Sequence, residues 1–222
     1  VLNKASEIAA PVLPLIYMLS VVSPDSNDDI KMRGLYIGDD IECFRLASEL
    51  SYKVNFTAID KRLKKVVVWL DPEEFKSTWL GNKSIYRTRM TIADGGELVV
   101  LAPGVRTFGE DPVIDSLIRK YGYRTTPEIL SYVDKNSDLK ANLSAAAHLI
   151  HGSPENRFTV TYATPHMTSS EVEGVGYRHG RLEELIRKYD PHWLKSGYNT
   201  TADGEEIYFI SNPATGLWRA KE

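Results

Sequence analysis

The segment KSIYRTRMTIADGGEL, residues 83 to 98, holds the side chains best suited to bind a ligand. Two arginines, Arg87 and Arg89, follow Tyr86 closely. A guanidinium can hold a carboxylate through two parallel hydrogen bonds, which a lysine cannot do. The tyrosine could add a hydroxyl donor. This combination predicts a site for a small organic acid.

The same residues also fit a solvated helix face. Lys83, Arg87 and Met90 lie about one helical turn apart, and Glu73 or Glu74 could pair with the cations at the surface. Composition alone favours this surface interpretation. The residues by themselves leave both interpretations open.

Two histidines, His148 and His151, are three residues apart in AHLIHG and would share one side of a helix, as a metal site requires. No further ligand lies nearby at a suitable spacing. A helix that ends at Gly152 also gains from a histidine beside its last carbonyls. We therefore favour a helix end over a metal site here.

Two glycine-rich stretches carry no nucleotide-binding pattern. GVGYRHGR, residues 174 to 181, lacks the dinucleotide spacing after a strand, and APGVRTFGED, residues 102 to 111, lacks the lysine of a phosphate loop. Both are interpreted as turns.

Composition describes an ordinary globular chain of 222 residues with a formal net charge of −3. This charge gives no field for nucleic acid or an anionic membrane, so we expect a small partner.

The single cysteine, Cys43, excludes an intrachain disulfide. The apolar run 10–22 is too short to span a bilayer and contains Pro11 and Pro14. We predict it to be a core strand of a cytoplasmic protein.

Apolar runs alternate with helical patterns along the first hundred residues. GLYIG and KKVVVWL read as strands, the segment after Asp39 or Asp40 as a helix, Trp79 to Ile92 as a second helix and ELVVLAP as a buried strand. This order predicts one βαβαβ unit.

The second half is richer in helix. Helices are predicted in EDPVIDSLIRKYG, TPEILSYVDK, DLKANLSAAAHLIHG and GRLEELIRKYD, and strands in FTVTYAT and EIYFISNP. The predicted fold class is α/β, with a mixed, mostly parallel sheet and flanking helices in one domain.

Several segments in order resemble the C-terminal domain of the lactate racemase family, whose members carry a nickel-pincer nucleotide. They are GLYIGDD, AIDKRLKKVVVWLD, KSIYRTRMTIADGGELVVLAPG and AAAHLIHG with RFTVTYAT. The resemblance runs from about Ile8 to Tyr177. It implies that the chain is the substrate-closing domain of an enzyme that inverts 2-hydroxy acids, and that a preceding domain of the same protein holds the nickel-pincer nucleotide and the catalytic residues.

The resemblance also implies substrate-binding positions. The family tyrosine matches Tyr86, the family glutamine stands at Arg87, and the family lysine falls on Met90, so the cation is moved to Arg87 or Arg89. A tryptophan of the lactate pocket aligns near Lys140. These exchanges add hydrogen-bond donors and favour a longer polyhydroxy acid, such as a sugar aldonate, over lactate. Residues 178–222 are interpreted as variable packing.

Two other functions compete with a racemase or epimerase. One is a nicotinamide-dependent oxidoreductase of sugar acids, which the missing dinucleotide fingerprint disfavours. The other is a stand-alone module that binds a small carboxylate. On the leading interpretation the chain alone is inactive, and its partners are the hydroxy acid and the preceding domain.

Overall fold

The computed structural model describes residues 2–25 and 29–221. Backbone contacts divide the chain into two compact units, Val1–Phe56 and Thr57–Glu222. The local sequence patterns do not mark this division. In the described part of the chain, no helix is both long and apolar enough to cross a membrane.

The first unit is a β-hairpin packed on one helix. Its elements are α1 (Leu2–Ala9), a 3₁₀ helix (Ala10–Val12), β1 (Tyr17–Pro24), β2 (Ile30–Gly38) and α2 (Ile41–Asn55). β1 and β2 pair in antiparallel fashion. The Asp40 carboxylate accepts hydrogen bonds from the amides of Glu42 and Cys43. Of the two aspartates predicted to cap this helix, Asp40 is therefore the N-cap of α2. Cys43 is buried on the side of α2 that faces the hairpin, which confirms its predicted packing role.

The prediction of a core strand over 10–22 is wrong. Only its second part is strand, and Val12 and Ile16 are 76% and 77% exposed. The prediction of one βαβαβ unit is also wrong. Five residues separate Pro24 from Ile30, and such a short connection joins antiparallel strands, because a parallel pair needs a crossover of a dozen residues or more.

The second unit is built on a six-stranded sheet with the order β7-β6-β5-β4-β9-β8. All neighbours are parallel except the β8–β9 pair. This confirms the predicted α/β class with a mixed, mostly parallel sheet. The strands of this unit are β3 (Phe56–Ile59), β4 (Leu63–Trp69), β5 (Ile92–Leu101), β6 (Thr159–Ala163), β7 (Arg178–His179), β8 (Gly197–Thr200), β9 (Glu206–Ile210) and β10 (Leu217–Ala220).

Helices flank this sheet and cover the apolar central strands. Val66, Val67 and Val68 of β4 are fully buried, as expected for a strand covered on both faces. The helices are α3 (Thr78–Gly81), α4 (Lys83–Tyr86), α5 (Pro112–Tyr121), α6 (Thr126–Lys135), α7 (Ser137–Lys140), α8 (Leu143–His151), α9 (Ser169–Gly174) and α10 (Leu182–Lys188).

The predicted helix from Trp79 to Ile92 is broken into two single turns, α3 and α4. Beyond them the chain turns through i to i+3 hydrogen bonds, from the Thr88 amide to Ile85 O and from the Thr91 amide to Thr88 O. The Thr88 hydroxyl also donates to a carbonyl four residues back, which weakens a regular helix. The irregular crossover leaves Tyr86 at the end of α4, and Arg87 and Arg89 on the turn that follows.

Helix ends in the second half follow the sequence more closely. Asp111 caps α5, and Gly122 ends it with φ 67°, a conformation that glycine adopts without strain. The long helix predicted through DLKANLSAAAHLIHG is instead split, because Asn142 accepts the Ala145 amide and begins α8 separately. The segment 178–222 is not merely variable packing, because it supplies β7, β8, β9 and β10.

Candidate active site

The turn that follows α4 lies at the amino-terminal edge of the parallel sheet. The Leu63 amide at the start of β4 donates to Thr91 O at 2.8 Å, and β5 begins at the next residue. The predicted site residues Tyr86, Arg87 and Arg89 therefore come together at this edge. Each of the three side chains is half-buried.

Arg87 is engaged by the end of the chain. Its Nη1 donates to Ala214 O at 2.8 Å and to Gly216 O at 3.1 Å. In return the Trp218 amide donates to Arg87 O at 3.1 Å. The structure thus gives this guanidinium a bracing role, which sequence reasoning did not anticipate.

Arg89 is less committed. Its guanidinium makes one described hydrogen bond, and that bond is long, from Nη1 to Ile150 O at 3.4 Å. Arg157 supports the backbone of this turn, because its Nη1 donates to Arg89 O at 3.2 Å. Its Nε donates to the Asp94 carboxylate at 2.7 Å. Arg89 therefore keeps donors available for a ligand while its backbone is held in place.

His151 joins this cluster, although the sequence favoured a helix-end role for it over a metal site. Its ring centroid lies 5.3 Å from that of Tyr86, with the two planes inclined by 44°. Partial burial, and then the positive charge of Arg89, lower the pKa of His151 below its ordinary value. The imidazole is therefore neutral near pH 7 and can donate from one nitrogen and accept at the other. We call Tyr86, Arg89 and His151 the edge cluster.

His148 points into the core instead. Its ring stacks on Trp79 with 4.6 Å between centroids, and its Nε2 lies 3.0 Å from the Tyr123 hydroxyl. The Thr78 hydroxyl donates to Phe108 O, so the Tyr123 hydroxyl donates to Thr78 at 2.7 Å. Burial lowers the pKa of His148 to about 3, so this buried imidazole is neutral.

The two histidines therefore do not form a metal site together. Within residues 2–25 and 29–221, no group of three histidine, cysteine, aspartate or glutamate side chains is arranged to hold a metal ion.

Lys140 is not a member of the edge cluster. It is exposed at the end of α7, and within the described chain its side chain makes no polar contact with Tyr86, Arg87 or Arg89. The stretch GVGYRHGR runs from the end of α9 through β7 to the residue before α10, with Gly176 at φ 94°. Gly174 and Gly176 come before the strand, whereas the glycines of a dinucleotide-binding turn lie between a strand and the helix that follows it.

Comparison with known proteins bears on the fold. No family model and no curated protein matches the sequence. A crystal structure of a structural-genomics protein from Thermotoga maritima matches with a TM-score of 0.72 and 23% identity, over 99% of this chain and 52% of that one. The lactate racemase apoprotein from Thermoanaerobacterium thermosaccharolyticum matches with a TM-score of 0.62 and 12% identity, over 91% of this chain and 46% of that one.

These matches confirm a lactate-racemase-like fold. At such low identity they concern the fold and not the activity. The chain spans about half the length of the two solved structures.

Proposed function

We propose that this chain binds and encloses the substrate in a racemase or epimerase that acts on a 2-hydroxy acid. The observation that carries the proposal is the edge cluster, in which a guanidinium, a phenol and a neutral imidazole meet on a lactate-racemase-like fold. The chain is taken to be the C-terminal, substrate-closing part of a longer protein.

Each member of the edge cluster has a distinct task in this proposal. Arg89 holds the carboxylate through paired, charge-assisted hydrogen bonds. Tyr86 donates to a hydroxyl, and His151 can either donate to or accept from a hydroxyl because it is neutral near pH 7. A carboxylate beside several hydroxyls matches this set, which supports a sugar aldonate over lactate.

Arg87 has a supporting part in the proposal. Its donors to Ala214 O and Gly216 O tie the terminal segment to the turn that carries Arg89. Lys140, which aligns with a pocket position of the resembling family, is proposed to contact the acid from α7. Positioning of this kind contributes to catalysis by fixing the reacting carbon and excluding water.

The nickel-pincer nucleotide belongs to another domain in this proposal. The described residues of this chain offer no metal-ligand set, so their part is limited to holding the acid and closing over it. The proton and hydride steps fall to residues outside this chain.

The test uses the full-length polypeptide produced with its cofactor pathway. Inversion of lactate, malate and sugar aldonates is followed by chiral chromatography, with and without Arg89→Gln. Loss of one charge-assisted pair should lower kcat/KM by about tenfold to a hundredfold. Arg181→Gln is the matched control, because Arg181 is exposed and pairs only with Glu184 in the described chain.

Other outcomes separate the competing functions. Binding of the acid without inversion or oxidation would identify a carboxylate-binding module. Reduction of a nicotinamide cofactor by the acid would identify an oxidoreductase. Equal kinetics for Arg89→Gln and the wild type would remove Arg89 from the site.

A further inference from the structure

The hairpin of the first unit has one apolar face that no described residue of its own unit covers. Met18 pairs with Ile37, Ser20 with Leu35 and Val22 with Met32, so these six side chains share one face. We call them the outer face. They carry no charge, and five of the six are apolar.

The opposite face of the hairpin is the one that packs on α2. A Cβ atom at Gly34 would lie 2.6 Å from the Leu50 side chain, and one at Gly38 would lie 3.5 Å from Cys43 Cβ. Helix packing therefore accounts for one face of the hairpin and leaves the outer face without a partner.

The outer face is strongly exposed for its composition. Met18 is 71% exposed, Met32 64% and Ile37 60%. Isolated exposed apolar side chains are ordinary, but a contiguous set on paired strands marks an interaction surface. A two-stranded hairpin is also marginal in water without further cover.

The sequence of β1 points to a buried location. The run 15–22 is almost continuously apolar, a pattern typical of strands covered on both faces. Within the described chain neither β1 nor β2 has another strand beside it. These two features are typical of a hairpin that forms one layer of a larger domain.

The lengths of the matched structures indicate what could cover the outer face. This chain accounts for 52% and 46% of them, so each carries about as much chain again outside the matched part. We propose that the outer face is the docking surface for a further domain of the same polypeptide, which covers it with an uncharged apolar layer. The inference rests on the proposed function only in taking the chain to be part of a longer enzyme.

Two methionines make the surface directly measurable. Hydrogen peroxide oxidises exposed methionine to the sulfoxide, and mass spectrometry reads the rate at each position. We expect Met18 and Met32 to react at least about tenfold more slowly in the full-length polypeptide than in the 222-residue chain. Met167 is 5% exposed and should be protected in both, which reports that the chain is folded.

Three results would overturn the proposal. Equal rates at Met18 and Met32 in the two proteins would show that no further domain covers them. Protection in the 222-residue chain that disappears on dilution would identify a second copy as the partner. Protection at every concentration would show that the face is covered within the chain itself.

A pair of leucine substitutions tests the same surface in the full-length polypeptide alone. Leu35 and Leu130 are 52% and 53% exposed in the chain described, so they are matched in exposure. Leu35→Glu should lower Tm by about 5 °C or more because it buries a charge under the docked domain, whereas Leu130→Glu should change it by less than about 2 °C. Equal shifts would contradict the proposal.

Neither readout depends on enzymatic activity. Protection of the methionines without inversion of any hydroxy acid would reject the proposed function and keep the docking surface. Activity without protection would do the reverse.

Discussion

The rings of Tyr86 and His151 lie 5.3 Å apart, although 65 positions separate them in the sequence. The contact joins the end of α4 to the end of α8, where burial and then the positive charge of Arg89 lower the pKa of His151. A tyrosine and an arginine that looked like a surface pair thereby acquire a titratable neighbour.

Acid binding by the full-length protein should depend on pH through His151. Its folded pKa lies below 6.5, so the imidazole gains its proton, and a positive charge, only as the pH falls past that lower value. Affinity for the hydroxy acid should then rise by about tenfold, because a second positive charge beside Arg89 strengthens the attraction of the site for the carboxylate. Calorimetric titration between pH 7.5 and pH 5 measures it.

His151→Phe keeps a ring beside Tyr86 and removes the titration, so it should abolish this rise. His192→Phe is the control, since His192 is exposed elsewhere on the second unit. A rise that persists in His151→Phe would assign the pH dependence to another group.

Arg87→Ala should reduce stability more than it reduces substrate binding. The substitution removes the donors to Ala214 O and to the carbonyl of buried Gly216, at a cost of about 1 to 3 kcal/mol. Thermal unfolding should show a fall in Tm of about 3 to 10 °C. A raised KM at unchanged Tm would instead give Arg87 the carboxylate-binding role that the sequence alone suggested.

Tyr162 and Tyr177 form a natural pair of stability tests. Their rings stack with 5.7 Å between centroids, and both are almost wholly buried. The Tyr177 hydroxyl donates to Gly152 O at 2.9 Å, whereas the Tyr162 hydroxyl has no hydrogen-bond partner among the described residues. An unpaired buried hydroxyl costs about 1 to 3 kcal/mol.

Tyr162→Phe should therefore leave the free energy of unfolding unchanged or raise it by about 1 kcal/mol or more, since it deletes the unpaired group. Tyr177→Phe should lower it by about 1 to 3 kcal/mol, because it strands the Gly152 carbonyl. Urea unfolding of the two variants gives both numbers. Equal losses would show that the Tyr162 hydroxyl is satisfied.

His148 should make the protein sensitive to mild acid. Its pKa is about 3 in the folded chain and about 6.5 when unfolded, so between these values only the unfolded state binds the proton. The contribution of neutral His148 to the free energy of unfolding is fully present above pH 6.5. Below it, stability falls by about 1.4 kcal/mol per pH unit until the pH nears the folded pKa.

His148→Gln removes this titration, so the slope of unfolding free energy between pH 6.5 and pH 4.5 should flatten. Urea unfolding at several pH values measures the slope. His192→Gln, which changes an exposed histidine, should keep the wild-type slope. An unchanged slope in His148→Gln would place the acid sensitivity elsewhere.

The local sequence determined the elements whose causes are local. The carboxylates of Asp40 and Asp111 begin their helices, Gly122 ends one, and the valines of β4 form a buried strand. Each outcome depends on residues within a few positions, so composition and spacing suffice to predict it. The α/β class was predictable because apolar strands alternate with helical segments along the chain. The lactate-racemase-like fold was expected from the resemblance of several segments and not from their periodicity.

Only the tertiary structure decided which side chains meet. Sheet order brings the end of α8 beside the turn after α4, which turns His151 from a helix end into a member of the edge cluster. The same long-range packing gives the Arg87 guanidinium to the carbonyls of residues 214 and 216. A periodic pattern shows which face of an element is apolar, but not which other element will cover it. The contacts of the proposed site are made between elements far apart in sequence.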